Sequence, residues 1–211
     1  MFTHNYNSII SMENLLTAWV LKCDIRKFFA SIDHARLKQI LARHIFDRDF
    51  LWLCTQVIDS FNSGIEGMGL PLGNLTSQLF GNVYLHELDM YVKQELRVRH
   101  YIRYADDFVF LSQDRSQLEN LLPKIRELLL KNLKLDLHKD KVFIQTFTSG
   151  VDFLGWVHFP HYRKLRTVTK NRVLKNLEWY PRRETLNSYR GLLKHGNTHK
   201  ILLKLEQLPG I

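Results

Sequence analysis

The sequence predicts an α+β fold in which helices pack on one face of an antiparallel sheet. Apolar runs of strand length alternate with segments of helical periodicity in the order β–α–α–β–β–α–β–β. No internal repeat, low-complexity segment or flexible linker interrupts this order. The chain has 211 residues, of which 45% are hydrophobic, enough for one core and a small appended subdomain.

The first half of the chain is predicted to contain a short helix, one strand and then three further helices. Ser11 caps a short helix that ends at Trp19, and the apolar run Val20–Ile25 forms a short strand that ends at Asp24. Asp33 is the predicted N-cap of a helix that runs to about His44. The other predictions are a helix over Arg48–Ser60, a loop of four glycines and one proline over residues 62–74, and a helix over Thr76–Arg97.

A hairpin opens the second half of the predicted fold. Its two apolar arms lie within Tyr101–Leu111, and a helix from Ser116 to Asn132 follows. Strands are predicted near Lys141–Thr146 and Asp152–Phe159. The remaining residues are predicted to form two or three short helices.

Composition excludes several classes of protein. The two cysteines, Cys23 and Cys54, are too few for a disulfide framework or a four-ligand zinc site. No run approaches the roughly 20 apolar residues of a membrane span, so no membrane partner is expected. The N-terminal sequence lacks the basic and apolar pattern of a signal peptide. We therefore expect a reduced, cytoplasmic protein.

The net charge is concentrated at one end of the chain. Residues 161–211 contain 12 Lys or Arg and 3 Asp or Glu, whereas the preceding 160 residues contain 18 of each. A neutral body with a basic terminal region is typical of proteins that bind a polyanion. A solvated basic helical face is an equally good interpretation of the charge alone.

Two adjacent aspartates, Asp106 and Asp107, lie inside the otherwise apolar hairpin. Neighbouring strand residues point to opposite faces, so both carboxylates can reach one site only if a turn, predicted at Ala105–Asp107, separates the arms. Surface turn chemistry also explains such a pair. Asp24, however, ends another apolar strand, and three clustered carboxylates repel one another unless cations lie among them. Mg²⁺ prefers such all-oxygen sites.

Four segments, in order, resemble the motifs of reverse transcriptases. Asp24–Phe29 (DIRKFF) resembles their first carboxylate motif, and Gly69–Gln78 (GLPLGNLTSQ) resembles their nucleotide-pocket motif. Tyr104–Asp107 (YADD) resembles the YxDD signature, and Phe153-Leu154-Gly155 resembles the primer grip. Order and spacing agree over Val20 to about Leu205. The resemblance implies a polymerase palm over residues 20–160, after an N-terminal helical segment (1–19) and before a short, basic, partial helical thumb (161–211).

The resemblance also implies the chemistry and the site. It implies an RNA-directed DNA polymerase that uses two Mg²⁺ ions, with Mn²⁺ as an alternative, held by the carboxylates of Asp24, Asp106 and Asp107 and the carbonyl of Ile25. Its partners would be an RNA template, a DNA or RNA primer and dNTPs, together with a small basic helical accessory protein of the retroelement. The substrate-binding residues it implies are Ile25, Arg26, Phe28, Phe29, Leu72, Gly73, Gln78 and Lys141.

Several of these residues have a second interpretation. Phe29 matches the ring that excludes a ribose 2′-hydroxyl, but Phe28 and Phe29 also fit a core. Lys141 matches a lysine that protonates the pyrophosphate leaving group, and it equally fits an exposed strand lysine. Leu72 is either a pocket residue or an ordinary apolar loop residue. Gly73 lets the backbone approach the nucleotide closely.

The pocket motif indicates a subtype. Reverse transcriptases of group II introns and retrons carry QGxxxSP, whereas this chain has Leu72 for the Gln and Gln78 for the Pro. That combination resembles the enzymes of diversity-generating retroelements, which copy an RNA with errors at adenines. Leucine can only pack against a nucleotide, and losing one polar contact reduces discrimination by about 0.5–1.5 kcal/mol.

One departure from the family separates two hypotheses. A long fingers region normally precedes the first catalytic strand, but here Val20 directly follows Trp19. The first hypothesis is an active, internally shortened polymerase. The second is a catalytically weak or inactive remnant that binds nucleic acid. The intact carboxylates favour the first, and the missing fingers favour the second.

Overall fold

The computed structural model describes residues 18–179, 183–194, 196–199, 201 and 203. The chain divides into two compact units, one from Trp19 to Gln145 and one that contains Ala18 and the residues from Thr146 onwards. The boundary predicted at residue 160, between the palm and the partial thumb, stays a prediction. Among the described residues, none of the helices combines the length and apolarity needed to span a bilayer.

The first unit is built on a four-stranded sheet with the order β2-β3-β1-β4. Its strands are β1 (Trp19–Asp24), β2 (Tyr101–Tyr104), β3 (Asp107–Ser112) and β4 (Phe143–Thr146). Strand β3 pairs antiparallel with both β1 and β2. The described helices are α1 (Phe28–Ser31), α2 (His34–Ala42), α3 (Arg48–Asp59), α4 (Leu75–Met90) and α5 (Arg115–Leu133).

Short polar side chains begin four of these helices. The Asp33 carboxylate accepts a hydrogen bond of 2.8 Å from the Arg36 N–H, so its predicted role as the N-cap of α2 is confirmed. Equivalent caps precede α3, α4 and α5, namely Asp47, Asn74 and Asp114. These caps explain why the predicted helix starts lie within one residue of the observed ones.

The two faces of the central strands have different environments. Leu21 and Cys23 of β1 and Phe108 and Phe110 of β3 are buried in one cluster with the apolar sides of the helices. The alternating positions, which include Asp24 and its partner on β3, point to the other face. Helices therefore pack on one face of the sheet, as predicted, and the acidic positions lie on the opposite face.

Three predictions about these elements were incomplete. Trp19 belongs to β1 and Ala18 is not helical, whereas the rest of the predicted N-terminal helix lies outside the described residues. The helix predicted to reach Arg97 leaves α geometry after Met90, because Leu96 donates its N–H to the Tyr91 carbonyl five residues earlier in a π-helical turn. The four-residue helix α1 was not predicted, because it is shorter than any periodicity can reveal.

The second unit contains a three-stranded sheet followed by helices. Its elements are β5 (Val151–Phe153), β6 (Trp156–His158), β7 (Arg163–Leu165), α6 (Thr167–Trp179) and α7 (Arg183–Leu193). The single strand predicted over Asp152–Phe159 is therefore a hairpin, since Leu154 and Gly155 turn the chain with positive φ angles of 54° and 80°. Helices α6 and α7 agree with the predicted helical region, but β7 was not predicted.

Candidate functional site

The pairing of β1 with β3 brings the three aspartates together in the chain fold. Asp24 is the direct cross-strand partner of Asp107, and such Cα atoms lie about 4.5–5.5 Å apart. The Ile25 N–H donates a 3.1 Å hydrogen bond to the carbonyl of Asp106. The backbones of all three aspartates therefore lie side by side at one end of the sheet.

A tight turn resolves the problem of two adjacent carboxylates. Ala105 and Asp106 form the turn between β2 and β3, and Asp107 is the first residue of β3. Ala105 adopts a left-handed φ of 51°, which costs an L-residue on the order of 1–2 kcal/mol. Backbone strain of this kind is concentrated at functional sites.

Burial raises the pKa of both carboxyl groups of the pair. The pKa of Asp107 is raised to about 6, mainly because the group is desolvated; the ammonium of Lys22 opposes this shift, and the charges of Asp24 and Asp106 add to it. Desolvation, with a contribution from Asp24, also raises the pKa of Asp106. Burial thus disfavours the ionised form of both carboxyl groups.

Two lysines already provide positive charge to this site. The ammonium of Lys22 lies 3.2 Å from Oδ2 of Asp107, and its side chain is only 12% exposed. The ammonium of Lys141 lies 3.0 and 3.2 Å from the two carboxylate oxygens of Asp24, and its side chain is 54% exposed. Lys141 is therefore an exposed lysine that reaches the acidic site, although it lies two residues before β4 and not on a strand; its role as a proton donor stays a prediction.

The donor chemistry of the site suits a hard divalent cation. The three aspartates offer only oxygen ligands, which Mg²⁺ and Mn²⁺ prefer. Oδ1 of Asp107 is buried and accepts no hydrogen bond from the described residues. As the side chains stand, however, no three His, Cys, Asp or Glu groups of the described residues are arranged so that they could hold a metal ion. The ligand types thus fit, while two of the three carboxylates are paired with lysines.

Arg103 fixes the position of the acidic turn. Its guanidinium donates from Nε to Oδ1 of Asp89 at 2.9 Å and from Nη2 to Oδ2, so the pair is bidentate. Its third nitrogen donates to Oδ1 of Asn82 at 3.2 Å and to the carbonyl of Ala105 at 3.1 Å. Helix α4 and the turn are therefore joined through a single side chain that is 9% exposed.

The predicted pocket residues divide into buried and exposed members. Phe28 is a core residue, whereas Phe29 is half-buried, and the two rings lie 5.0 Å apart. Both rings pack on Gly81 of α4, where a Cβ would lie 3.1 and 3.2 Å from their carbon atoms. This glycine sets the position of the Phe29 ring.

The pocket loop presents its predicted residues to solvent. Leu72 is 81% exposed, Gln78 is exposed on the first turns of α4, and Gly73 has a φ of 83°. At this exposure the Leu72 side chain is open to a ligand, which agrees with both of its interpretations, a pocket residue and an ordinary loop residue. Arg26 is exposed, and its backbone N–H donates to the Asp136 carbonyl at 2.8 Å, while the side chain of Ile25 is buried.

The predicted primer grip lies in the second unit. Phe153 is buried, Leu154 is exposed with its positive φ, and Gly155 accepts a hydrogen bond of 3.0 Å from the Arg166 N–H. A bulky residue in the left-handed region is uncommon. Leu154 is thus held at the tip of a strained hairpin.

Lys22, Arg103, Asp89 and Gly81 are the site residues that the sequence interpretation missed. Lys22 lies two residues before Asp24, so strand alternation puts both on one face, and this signal was available. Arg103 is a charged residue within an apolar strand, which was also visible. Asp89 and Gly81 gain their roles only from the way helix α4 packs.

Comparison with known proteins gives consistent matches. The family model for reverse transcriptase (RNA-dependent DNA polymerase) matches residues 5–158. Protein YkfC of Escherichia coli K12 is 28% identical over 176 residues, which cover 65% of this chain and 46% of YkfC. The group II intron-encoded protein LtrA of Lactococcus lactis subsp. cremoris is 29% identical over 115 residues, covering 52% of this chain and 17% of LtrA.

A solved structure shares the fold. Telomerase from Candida tropicalis, in complex with the TWJ fragment of telomeric RNA, superposes with a TM-score of 0.59 at 13% identity, covering 96% of this chain and 40% of that one. At this identity the likeness concerns the fold alone. The chain spans less than half the length of the two curated relatives.

Proposed function

Because this chain belongs to the reverse transcriptase family, we propose that it extends a primer 3′-end with dNTPs copied from an RNA template. The observation that supports this proposal is the register of β1 with β3, which pairs Asp24 with Asp107 beside the strained Ala105–Asp106 turn. An inert scaffold gains nothing from buried, mutually repelling carboxylates.

Asp24, Asp106 and Asp107 would hold the divalent cations, with the backbone carbonyl of Ile25 as a further oxygen ligand. Two such ions supply activation of the attacking primer oxygen and stabilisation of the leaving phosphate oxygen. The protein keeps the carboxylates close through the sheet and fixes the turn through Arg103. Lys141, which is exposed and paired with Asp24, would donate a proton to a leaving group near that carboxylate.

The remaining predicted residues would bind and orient the substrates. Phe29, held against Gly81, would exclude the ribose 2′-hydroxyl of an incoming nucleotide. Leu72, Gly73 and Gln78 would form the wall of the nucleotide pocket, with Arg26 and Phe28 supporting it. In the second unit, Phe153, Leu154 and Gly155 would contact the primer strand.

We propose a diversity-generating retroelement enzyme as the subtype, on the basis of Leu72 and Gln78. An intron-type enzyme is the second candidate, and the similarity to the group II intron-encoded LtrA favours it. Fidelity separates the two. If the parent often misincorporates opposite template adenines and Leu72→Gln does so less often, the first subtype is supported. A uniformly low error rate of the parent at all template bases supports the second.

The partners follow from the same proposal. The template RNA and the primer would bind through the basic region 161–211, whose exposed Lys164, Arg172 and Lys175 provide phosphate contacts. A small basic helical accessory protein would complete the retroelement complex. The two cysteines are free and buried, which supports a reducing, cytoplasmic location.

The direct junction of Trp19 with Val20 supports weak activity of the chain by itself. Fingers that close on a triphosphate supply orientation, and fixed geometry can lower a barrier by roughly 7–11 kcal/mol. Without them the triphosphate lies open to water. An inactive remnant that binds nucleic acid is the alternative function, and the same junction favours it.

Primer extension on an RNA template tests the proposal directly. Each dNTP is supplied with Mg²⁺, with Mn²⁺ or with neither, and the parent chain is compared with Asp107→Asn. Asp49→Asn, an exposed residue on α3, is the matched control. We expect slow, metal-dependent extension by the parent and the control, and none by Asp107→Asn.

Two results would change the proposal. Turnover in the ordinary enzyme range of about 1–10³ per second would show that the fingers are dispensable or supplied in another way. No extension with either metal, together with salt-dependent binding of an RNA–DNA duplex, would establish the binding remnant instead.

A further inference from the structure

Lys22 occupies a position that constrains its charge. It lies on β1 opposite Val109, on the same face as Asp24, and its ammonium contacts Oδ2 of the diagonal neighbour Asp107 at 3.2 Å. Its side chain is 12% exposed. An ammonium with so little exposure that left its carboxylate would lose its counter-charge and regain little water, so the contact is favoured.

Lys141 provides an internal comparison. It contacts Asp24 at a similar distance, but its side chain is 54% exposed. An exposed lysine can move into solvent when a cation binds, because its ammonium is then hydrated. The two lysines therefore respond differently to a metal ion, since Lys141 can leave and Lys22 cannot.

The two oxygens of Asp107 are consequently unequal. Lys22 holds Oδ2, whereas Oδ1 is buried and accepts no hydrogen bond within the described structure. A divalent cation that binds Oδ1 lies within a few ångströms of a fixed positive charge in a poorly solvated region, where screening is weak. Repulsion from Lys22 must therefore weaken metal binding at this carboxylate.

We propose that Lys22 is a built-in counter-cation of Asp107 that keeps the affinity of the acidic site for divalent metal low until a substrate phosphate adds negative charge. The inference rests on the proposed function, because it assumes that the aspartates bind metal. It assigns Lys22 a positioning role, and it explains why carboxylates that suit Mg²⁺ by ligand type are paired with lysines instead.

Mn²⁺ binding to the full chain, without nucleic acid, tests this role independently of turnover. Free Mn²⁺ is counted by electron paramagnetic resonance for the parent, for Lys22→Met and for the charge-conserving Lys22→Arg. Lys38→Met, which removes a lysine from another aspartate, Asp59, is the matched control. We expect at least tenfold tighter Mn²⁺ binding for Lys22→Met and parental affinity for the other two variants.

Added dNTP provides a second readout. It should tighten Mn²⁺ binding strongly in the parent and only slightly in Lys22→Met, because that site no longer needs the phosphate charge. If Lys22→Met unfolds without metal, the double variant Lys22→Met/Asp107→Asn removes the unpaired carboxylate. Recovery of its melting temperature would then show that Lys22 is the counter-charge of Asp107, because removing the carboxylate removes the need for the lysine; no recovery would overturn the pairing.

The outcomes distinguish this inference from the proposed function. Equal Mn²⁺ affinity in the parent and in Lys22→Met, with binding that Asp107→Asn abolishes, overturns the role of Lys22 and leaves the metal site intact. No Mn²⁺ binding by any variant, with or without dNTP, overturns the metal assignment and this inference with it.

Discussion

Replacing Arg103 by alanine should destabilise the first unit substantially. The substitution removes a bidentate contact with Asp89 and the bonds to Asn82 and the Ala105 carbonyl. Removing one partner of a buried ion pair costs about 3–5 kcal/mol, because the other charge is left desolvated. Asp89 is only partly buried and retains the Tyr101 hydroxyl at 2.8 Å, so we expect about 3 kcal/mol.

Urea denaturation followed by far-ultraviolet circular dichroism measures this loss. For a chain of this size, about 3 kcal/mol corresponds to a melting temperature about 6–12 °C lower. Arg43→Ala is the matched control, because Arg43 also pairs with an acidic residue of α4, Glu87, but its side chain is 56% exposed. Exposed pairs contribute about 0–1 kcal/mol, so the control should differ little from the parent.

A double-mutant cycle isolates the ion pair from other effects of the truncation. Arg103→Ala/Asp89→Ala should be less destabilised than the sum of the single variants, with a coupling of about 1–3 kcal/mol. If Arg103→Ala loses no more stability than Arg43→Ala, or if the cycle shows no coupling, Arg103 does not join helix α4 to the turn as described.

Three further outcomes are expected. In metal-free buffer the raised pKa of Asp107, about 6 against its ordinary 3.8, means that the folded state binds the proton more tightly, so stability falls as pH rises from about 4 to 6. Asp107→Asn removes this titrating group, so its free energy of unfolding in urea titrations should fall by about 2–3 kcal/mol less than that of the parent between pH 4 and 6; parallel curves would contradict the shift. Replacing both Arg172 and Lys175 by Gln should reduce the slope of log binding constant against log salt concentration by about two units, as measured by fluorescence titration with an RNA–DNA duplex. Lys124→Gln should leave this slope unchanged. Gly69→Ala should lower the melting temperature far more than Gly64→Ala. The two glycines have nearly the same φ, 94° and 93°, but only at Gly69 would an added Cβ lie 2.5 Å from the Cβ of Ser63. Equal losses in the two variants would assign the cost to backbone strain alone.

The sequence was sufficient for the local parts of the site. Helix caps such as Asp33 and the turn before Asp107 are decided by neighbouring residues, and both were predictable within one residue. The side-chain alternation of β1 would also have placed Lys22 beside Asp24. The bidentate pair of Arg103 with Asp89 was beyond prediction, because it depends on how α4 lies against the sheet. The π-helical turn after Met90 likewise depends on tertiary packing and leaves no periodic signal.

The strand order β2-β3-β1-β4 has a consequence for the synthesis of the protein. Strand β1 is made first yet lies between β3 and β4, both of which leave the ribosome much later. Its apolar residues, among them Val20 and Leu21, therefore have no sheet partner while most of the first unit is still being translated. Pairings that close such long loops form slowly and leave nascent chains prone to aggregation. The three aspartates consequently cannot come together in any truncated translation product that ends before β3.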